Sequence, residues 1–326
     1  LVLLSLNFNA PAVFPYDENL LGASGFALFH LERGLNATMG YNCYYRDYGY
    51  LAGDPRALQL IQSDIENSSG PFHIYYREPP GLGLSLALFY GLFGISFAAA
   101  RALPAVFAFL TLLLFMFNIH RITSRHELAL MAGILYSTIP MSTIFGRSVC
   151  YEAPALFFIL TGIVIYLAHS ASKISNVVLS AVSFSVATFF AWNGFLASLT
   201  TSLYNSLVHG IRTKEAAVKN LILFGSALLT MALLIAHITL AGGADSLSRS
   251  FIRRVLSTTD DQGVKYTFID WIIRITRFNI GTYTLPLTFL AGLGAIPLLS
   301  GVFEKRLRPF LWLSLSMGLG SVVLFQ

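Results

Sequence analysis

The sequence predicts an all-α polytopic membrane protein: a bundle of transmembrane helices with a long first extracytoplasmic loop that carries in-plane helices of its own. Three observations predict it. The 326-residue chain is 55% hydrophobic and only 11% charged, with a mean hydropathy of +0.67, so its polar groups cannot cover its apolar surface and lipid must do so. Uncharged stretches long enough to cross roughly 30 Å of hydrocarbon at about 1.5 Å per residue recur along it: 103–119, 128–145, 153–169, 177–208 (one span, or two with a break), 220–240, 283–302 and 310–326. The short linkers between them are basic, as cytoplasmic loops are.

Those linkers hold Arg121 and Arg125, then Lys173, then Arg212, Lys214 and Lys219, then Lys305, Arg306 and Arg308. Placing all four in the cytoplasm puts 14–100, 146–152, 191–194 and 241–282 on the opposite side. Two glycosylation-type triplets, Asn36-Ala37-Thr38 and Asn67-Ser68-Ser69, fall in the first of these segments. The 241–282 loop carries six basic and four acidic residues, which on charge alone fits the cytoplasm; long loops obey the charge rule poorly, so the count of spans decides. The chain reads as one transmembrane domain over 1–326, with 14–100 and 241–282 as its two long extracytoplasmic loops. Leu1–Phe14 is apolar but too short to span, and Val322–Gln326 stops inside an apolar run, so flanking segments are expected at both ends. A signal peptide over 1–13 lacks a basic start and a small-residue cleavage site.

Within the first loop, 17–33 places Leu20, Leu21, Ser24, Ala27, Leu28 and Leu31 on one stripe, the pattern of an interfacial helix that ends at Gly34. Tyr41–Tyr50 is a dense aromatic tract suited to the headgroup belt or to stacking on sugar rings. Asp54-Pro55 introduces a short soluble-type helix capped at its start. Pro80–Gly94 is apolar, glycine-rich and only about fifteen residues long, which reads as an in-plane or re-entrant helix. No repeat, nucleotide-type glycine loop or nucleic-acid-binding patch is present.

The predicted spans contain no Asp, Glu, Lys or Arg, and His237 lies near a helix end. Proton-coupled transporters and pumps keep such groups at mid-membrane depth. Here they gather at one face instead: Asp17, Glu18, Arg77, Glu78, Arg147, Glu152 and the 245–277 region. That distribution points to surface catalysis.

Three pieces occur in order: Asp17-Glu18 after the first apolar stretch, the Glu78-Pro79-Pro80 box leading into LALFYGLFGISFAAARALPAVF, and Gly146-Arg147 followed five residues on by Glu152. In this combination, over roughly 1–240, the chain resembles the GT-C superfamily of glycosyltransferases. Its closest likeness is to the protein O-mannosyltransferase-like branch and the bacterial relatives that move aminoarabinose to lipid A. The resemblance implies an inverting membrane enzyme that passes a sugar from a polyprenyl-phosphate carrier to a protein, lipid or glycan acceptor on the extracytoplasmic side. The membrane would be a prokaryotic plasma membrane or the endoplasmic reticulum. Asp17 matches the family's catalytic acid, with Glu18 beside it. Glu152 stands where the family usually has Asp. Many relatives have Lys before the two prolines; this chain has Glu78 there and Arg77 one step earlier. The cation for the carrier phosphate would then come from Arg77, Arg147, or Arg249, Arg253 and Arg254. Some relatives bind divalent cations through loop carboxylates, but no clustered ligand spacing is visible.

Glycosyl transfer from a phosphate needs a base for the acceptor's proton and fixed positive charge for the departing phosphate. Asp17 suits the first role and planar guanidinium groups the second. Plainer roles stand beside these. Asp17 and Glu18 suit the first turn of a helix, Arg147 suits an interface anchor paired with Glu152, Arg77 and Glu78 suit structural ion pairs, and His73 and His237 read as ordinary polar residues. Cys43 and Cys150 would share the side of the membrane on which disulfides persist. A flippase or transporter of a lipid-linked molecule, or a non-catalytic membrane subunit, are the competing functions. The first needs polar groups part-way across the membrane, and the second makes Asp17, Glu18 and Glu152 dispensable.

Overall fold

The computed structural model describes residues 18–45, 47–70, 72–75, 79–138, 146, 148–167, 173–209 and 213–240. Among them are nine α-helices and one two-stranded ribbon. The helices are α1 (Glu18–Thr38), α2 (Ala57–Asn67), α3 (Gly81–Phe93), α4 (Phe97–Thr123), α5 (His126–Thr138), α6 (Glu152–Tyr166), α7 (Ile174–Phe190), α8 (Asn193–His209) and α9 (Lys214–Leu240). Strands β1 (Cys43–Tyr44) and β2 (His73–Ile74) pair antiparallel. The spans expected at 283–302 and 310–326, and the 241–282 loop, lie outside the described residues.

Two helices, α4 and α9, are each 27 residues long and apolar enough to cross a membrane; at about 1.5 Å per residue each is roughly 40 Å long. Helix α4 starts because Ser96, in extended backbone, accepts from Ala99 N at 3.1 Å, an N-cap. It stops at Ser124, which takes a left-handed conformation (φ 56°). The long apolar run at 177–208 is two helices, α7 and α8, broken at Ala191-Trp192. Helix α3 has 13 residues, about 20 Å, too short to span.

Side-chain contacts fix the direction of each helix in the bundle. Phe107 meets Phe157 and Phe158 at 5.7 and 5.8 Å between ring centroids, and Arg121 donates to the carbonyls of Val164 and Leu167, both at 3.2 Å, so α4 and α6 run parallel. Ser198 Oγ donates to Leu223 O and Asn205 Nδ2 to Asn220 Oδ1, both at 2.8 Å, which sets α8 and α9 antiparallel. Tyr166 OH completes that buried polar cluster through Asn205 Oδ1 at 2.9 Å. At the far end of α9, His237 Nε2 meets Met39 O at 2.6 Å. Arg121, Arg125, Lys173, Lys214 and Lys219 therefore lie at one end of the bundle. Residues 18–94, the segment leading into Glu152, the break at 191–192 and His237 lie at the other. Between the ends, Leu221, Leu229 and Leu233 of α9 and Leu130, Met131 and Ile134 of α5 are exposed, apolar surface that suits lipid.

The unit at the second end differs from its sequence reading in instructive ways. Leu20, Leu21, Ser24, Ala27 and Leu28 are fully buried, but so are Phe29 and His30, whereas Leu31 is 42% exposed. Helix α1 is thus enclosed nearly all round, packed on α2 and α3, rather than presenting one apolar stripe. Gly34 does interrupt it, at φ 76°, a conformation that glycine adopts without steric cost. Helix α2 is amphipathic as read, burying Ala57, Leu58, Ile61 and Ile65. Its start differs: Asp54 Oδ1 accepts from Arg56 N at 2.7 Å, an Asx turn ahead of the helix and not a cap on its first turn. At its other end Arg33 donates to the carbonyls of Ile65 and Ser68, satisfying acceptors that a helix terminus leaves open.

The aromatic tract divides. Tyr41 and Tyr48 are core residues, and Tyr48 OH donates to Asp64 Oδ2 at 3.1 Å, so neither serves a headgroup belt or a sugar. Tyr44 and Tyr45 are half-buried, and Tyr50 is exposed.

Gly81 joins this unit to the bundle. A Cβ there would lie 2.5 Å from the backbone oxygen of Phe189 on α7. Gly81→Ala is expected to destabilise the protein by about 1–3 kcal/mol, since backbone on both sides must move; a lowered thermal midpoint in detergent is the readout.

Candidate active site

Glu152 is the sequence-selected residue whose side chain the structure describes fully. It opens α6, one residue ahead of the 153–169 span, and α6 follows a segment that is itself packed: Val149 and Cys150 are buried. Val149 belongs to the same hydrophobic core as Leu20, Leu21 and Leu103, and Tyr151 packs against it. Two stretches far apart in sequence, the start of α1 and the entry to α6, thereby share one core.

The Cys150 thiol hydrogen-bonds the Glu152 carboxyl, which favours its ionised form; burial outweighs this and raises the carboxyl above the usual range. Its Oε2 is buried with no hydrogen-bond partner. A buried, under-satisfied carboxyl is expensive, and strain of this kind is characteristic of sites kept for chemistry. The folded protein holds the Glu152 proton to higher pH than the unfolded chain, so the stability attached to it is full below the ordinary glutamate range and is lost as pH rises through the raised value. Glu152→Gln is accordingly expected to raise the thermal midpoint at pH 7 by about 2 °C and to leave it unchanged near pH 4, as thermal unfolding scans at the two pH values would register.

The other selected residues stand as follows. Glu18 is the first residue of α1, where an acid favours the helix N-terminus. Asp17, Arg77, Glu78, Arg147, Arg249, Arg253 and Arg254 lie outside the described residues. Pro79 and Pro80, which follow Arg77 and Glu78, lead into α3 at the Glu152 end. Cys43 and Cys150 are free and buried, so no bridge joins their segments; burial pushes the Cys43 thiol up to about 12. His30 is held down to about 4 by burial. Among the described residues no group of three or more His, Cys, Asp or Glu side chains could hold a metal ion.

Arg101 is the residue that sequence reasoning missed. It is 2% exposed, in the second turn of α4, with its guanidinium 5.9 Å from the Phe97 ring centre. Among the described residues the other buried basic side chain outside the histidines is Lys219, which pairs with Glu215 at 2.7 Å at the opposite end. Arg101 precedes Phe107 by six residues and Glu152 precedes Phe158 by six. Because α4 and α6 are parallel and Phe107 touches Phe158, Arg101 and Glu152 stand at the same depth, about 9 Å beyond that contact. A cation buried near a helix N-terminus opposes both desolvation and the helix dipole, and an anionic ligand would relieve both. The available signal was a charge two residues outside a span, followed by Pro104 within the helix.

Residues 72–239, just over half of the chain, match the family model of dolichyl-phosphate-mannose-protein mannosyltransferases. The match covers Arg101, Glu152 and His237, and it begins after Asp17 and Glu18. No curated protein and no solved structure matches the chain. With its mostly helical fold and two membrane-length apolar helices, the chain belongs to the dolichyl-phosphate-mannose-protein mannosyltransferase family, a family of membrane glycosyltransferases.

Proposed function

We propose that the protein transfers mannose from dolichyl-phosphate mannose to a protein acceptor, with inversion at the anomeric carbon, on the extracytoplasmic side of its membrane. The family match over 72–239 is the observation that carries the reading. The end of the bundle that holds Glu152 and residues 18–94 is the extracytoplasmic end, because the basic linkers at Arg121, Arg125, Lys173, Lys214 and Lys219 lie opposite.

At that end Asp17 acts as general base toward the acceptor hydroxyl, with Glu18 as its neighbour. Glu152, with one oxygen unsatisfied, completes the acidic side of the site by accepting from the acceptor or from the sugar hydroxyls. Arg101 contributes fixed positive charge for the carrier phosphate, assisted by Arg77, Arg147 and the Arg249, Arg253 and Arg254 group, while Glu78 orders the box beside Arg77. As the phosphate departs, its new negative charge falls among guanidinium groups already oriented by packing, which is where preorganised charge lowers a barrier. The exposed apolar faces of α5 and α9 leave the polyprenyl chain in lipid throughout. The flippase reading gains nothing: the polar groups within the bundle, such as Thr230 Oγ1 on Ser185 Oγ at 2.9 Å, are hydroxyls bonded to one another.

The reading is tested by offering purified protein a panel of labelled polyprenyl-phosphate sugars. Consumption of dolichyl-phosphate mannose alone, with label appearing on a serine- or threonine-containing peptide, is the expected result. Consumption of a different sugar carrier, or of none, contradicts it.

A further inference from the structure

His237 is bound across 198 residues of sequence to the turn after α1. Its Nε2 lies 2.6 Å from Met39 O, and since a carbonyl only accepts, Nε2 carries the proton. The imidazole also stands edge-on to the Tyr41 ring, 4.7 Å between centres. The turn it holds is an unfavourable one: Met39 is left-handed at φ 50° and Gly40 at φ 72°. A side chain larger than glycine's persists in that region where its surroundings impose it. Local bonds supply part of that constraint, Gly40 N to Leu35 O at 3.0 Å and Tyr41 N to Thr38 O at 2.9 Å.

The next residue continues the line. Asn42 O accepts from Tyr75 N at 2.7 Å, and Asn42 Nδ2 reaches Pro79 O at 3.5 Å. The Asn42 side chain is wedged against Gly83, where a Cβ would lie 2.2 Å from Asn42 Oδ1. An unbroken set of contacts therefore runs from the end of α9, through Met39 and Asn42, to the backbone directly after Arg77-Glu78. No other role is visible for an imidazole at this point of an otherwise apolar helix end.

We propose that His237 is a positioning residue for mannosyl transfer: by holding the Met39–Asn42 turn it sets the Arg77–Pro80 segment against the donor phosphate. This rests on the mannosyltransferase reading above. Its test is made in the full chain with two substitutions, His237→Phe, which keeps a ring on Tyr41 but removes the donor, and His237→Gln, which keeps an N–H. His237→Phe is expected to raise KM for dolichyl-phosphate mannose about 10-fold, the scale of one lost hydrogen bond, with kcat within about threefold of native. His237→Gln is expected to restore most of the loss. Asn42→Ala should reproduce the KM change, and the double variant with His237→Phe should be no worse than either alone, because both act through one path.

A second readout is independent of activity. Cys43 follows Asn42 and is fully buried, as is Cys150, so site-resolved alkylation by N-ethylmaleimide reports on the turn. In His237→Phe, Cys43 should react at least about 10-fold faster than in the native protein, the loosening that one lost hydrogen bond permits, and Cys150 should not. Native KM together with unchanged Cys43 reactivity overturns the proposal, as does additivity in the double variant, or a His237→Gln protein as defective as His237→Phe. Should the native protein consume no mannosyl donor, the function itself falls, and the Cys43 rates still decide whether His237 holds the turn.

Discussion

Asp17→Asn lowers mannosyl transfer by about 10²- to 10⁴-fold, the usual contribution of a general base, while the protein still folds and inserts. The amide keeps the shape of the carboxyl and removes its ability to take a proton. Asp17 stands directly before α1, whose opening residue is Glu18, so a plain helix-terminus role would show as a loss of stability of about 0.3–1 kcal/mol with transfer largely intact. The two roles thus separate in the same variant: the thermal midpoint reports the first and initial rates at saturating donor report the second. Near-native rates in Asp17→Asn would remove the base from the account, and Glu18→Gln would then be the next acid to test.

Arg101→Met gives the second large effect. Loss of a charge-assisted contact to the carrier phosphate is worth about 1.5–3 kcal/mol, roughly a 10- to 150-fold fall in kcat/KM for dolichyl-phosphate mannose. Stability is expected to move the other way. Methionine fills similar space without a charge to desolvate, and replacing a buried ion by an apolar side chain is often neutral or stabilising. Arg101→Lys should recover only part of the activity, since an ammonium lacks the planar fork that fits phosphate oxygens. A variant that is less stable yet fully active would mean that Arg101 serves the packing of α4 alone. Measured kcat/KM and thermal midpoints for the three proteins decide between these.

Much of the architecture was legible because it depends on local chemistry. Gly34 interrupts α1 through its positive φ, Ala57, Leu58, Ile61 and Ile65 give α2 its buried stripe, and the run at 177–208 breaks at Ala191-Trp192. The basic linkers group at one end of the bundle because each joins two helices of opposite direction.

What depends on tertiary enclosure was not legible. Tyr41 and Tyr48 look like their exposed neighbour Tyr50 in sequence and differ only in what surrounds them. Helix α1 reads as one-sided, because no pattern of its own residues reveals that α2 and α3 cover its other faces. Arg101 escaped notice for a related reason: its charge kept it outside an apolar window that α4 in fact continues past. His237 looked like an ordinary polar residue until Met39 and Tyr41, some two hundred positions earlier, were found against it. Of the acids, Glu152 was found by motif order, and its cost, the buried Oε2, is visible only in the packed state.

The stereochemistry of the product tests the whole account most directly. With native protein in lipid nanodiscs, dolichyl-phosphate mannose and a serine-containing peptide, NMR of the mannosyl-peptide reads the anomeric configuration. A base-assisted single displacement predicts the configuration opposite to that of the donor. Retention would require a covalent or doubly displaced intermediate, and would contradict the assignment of the acids and guanidinium groups to a single displacement on the carrier phosphate.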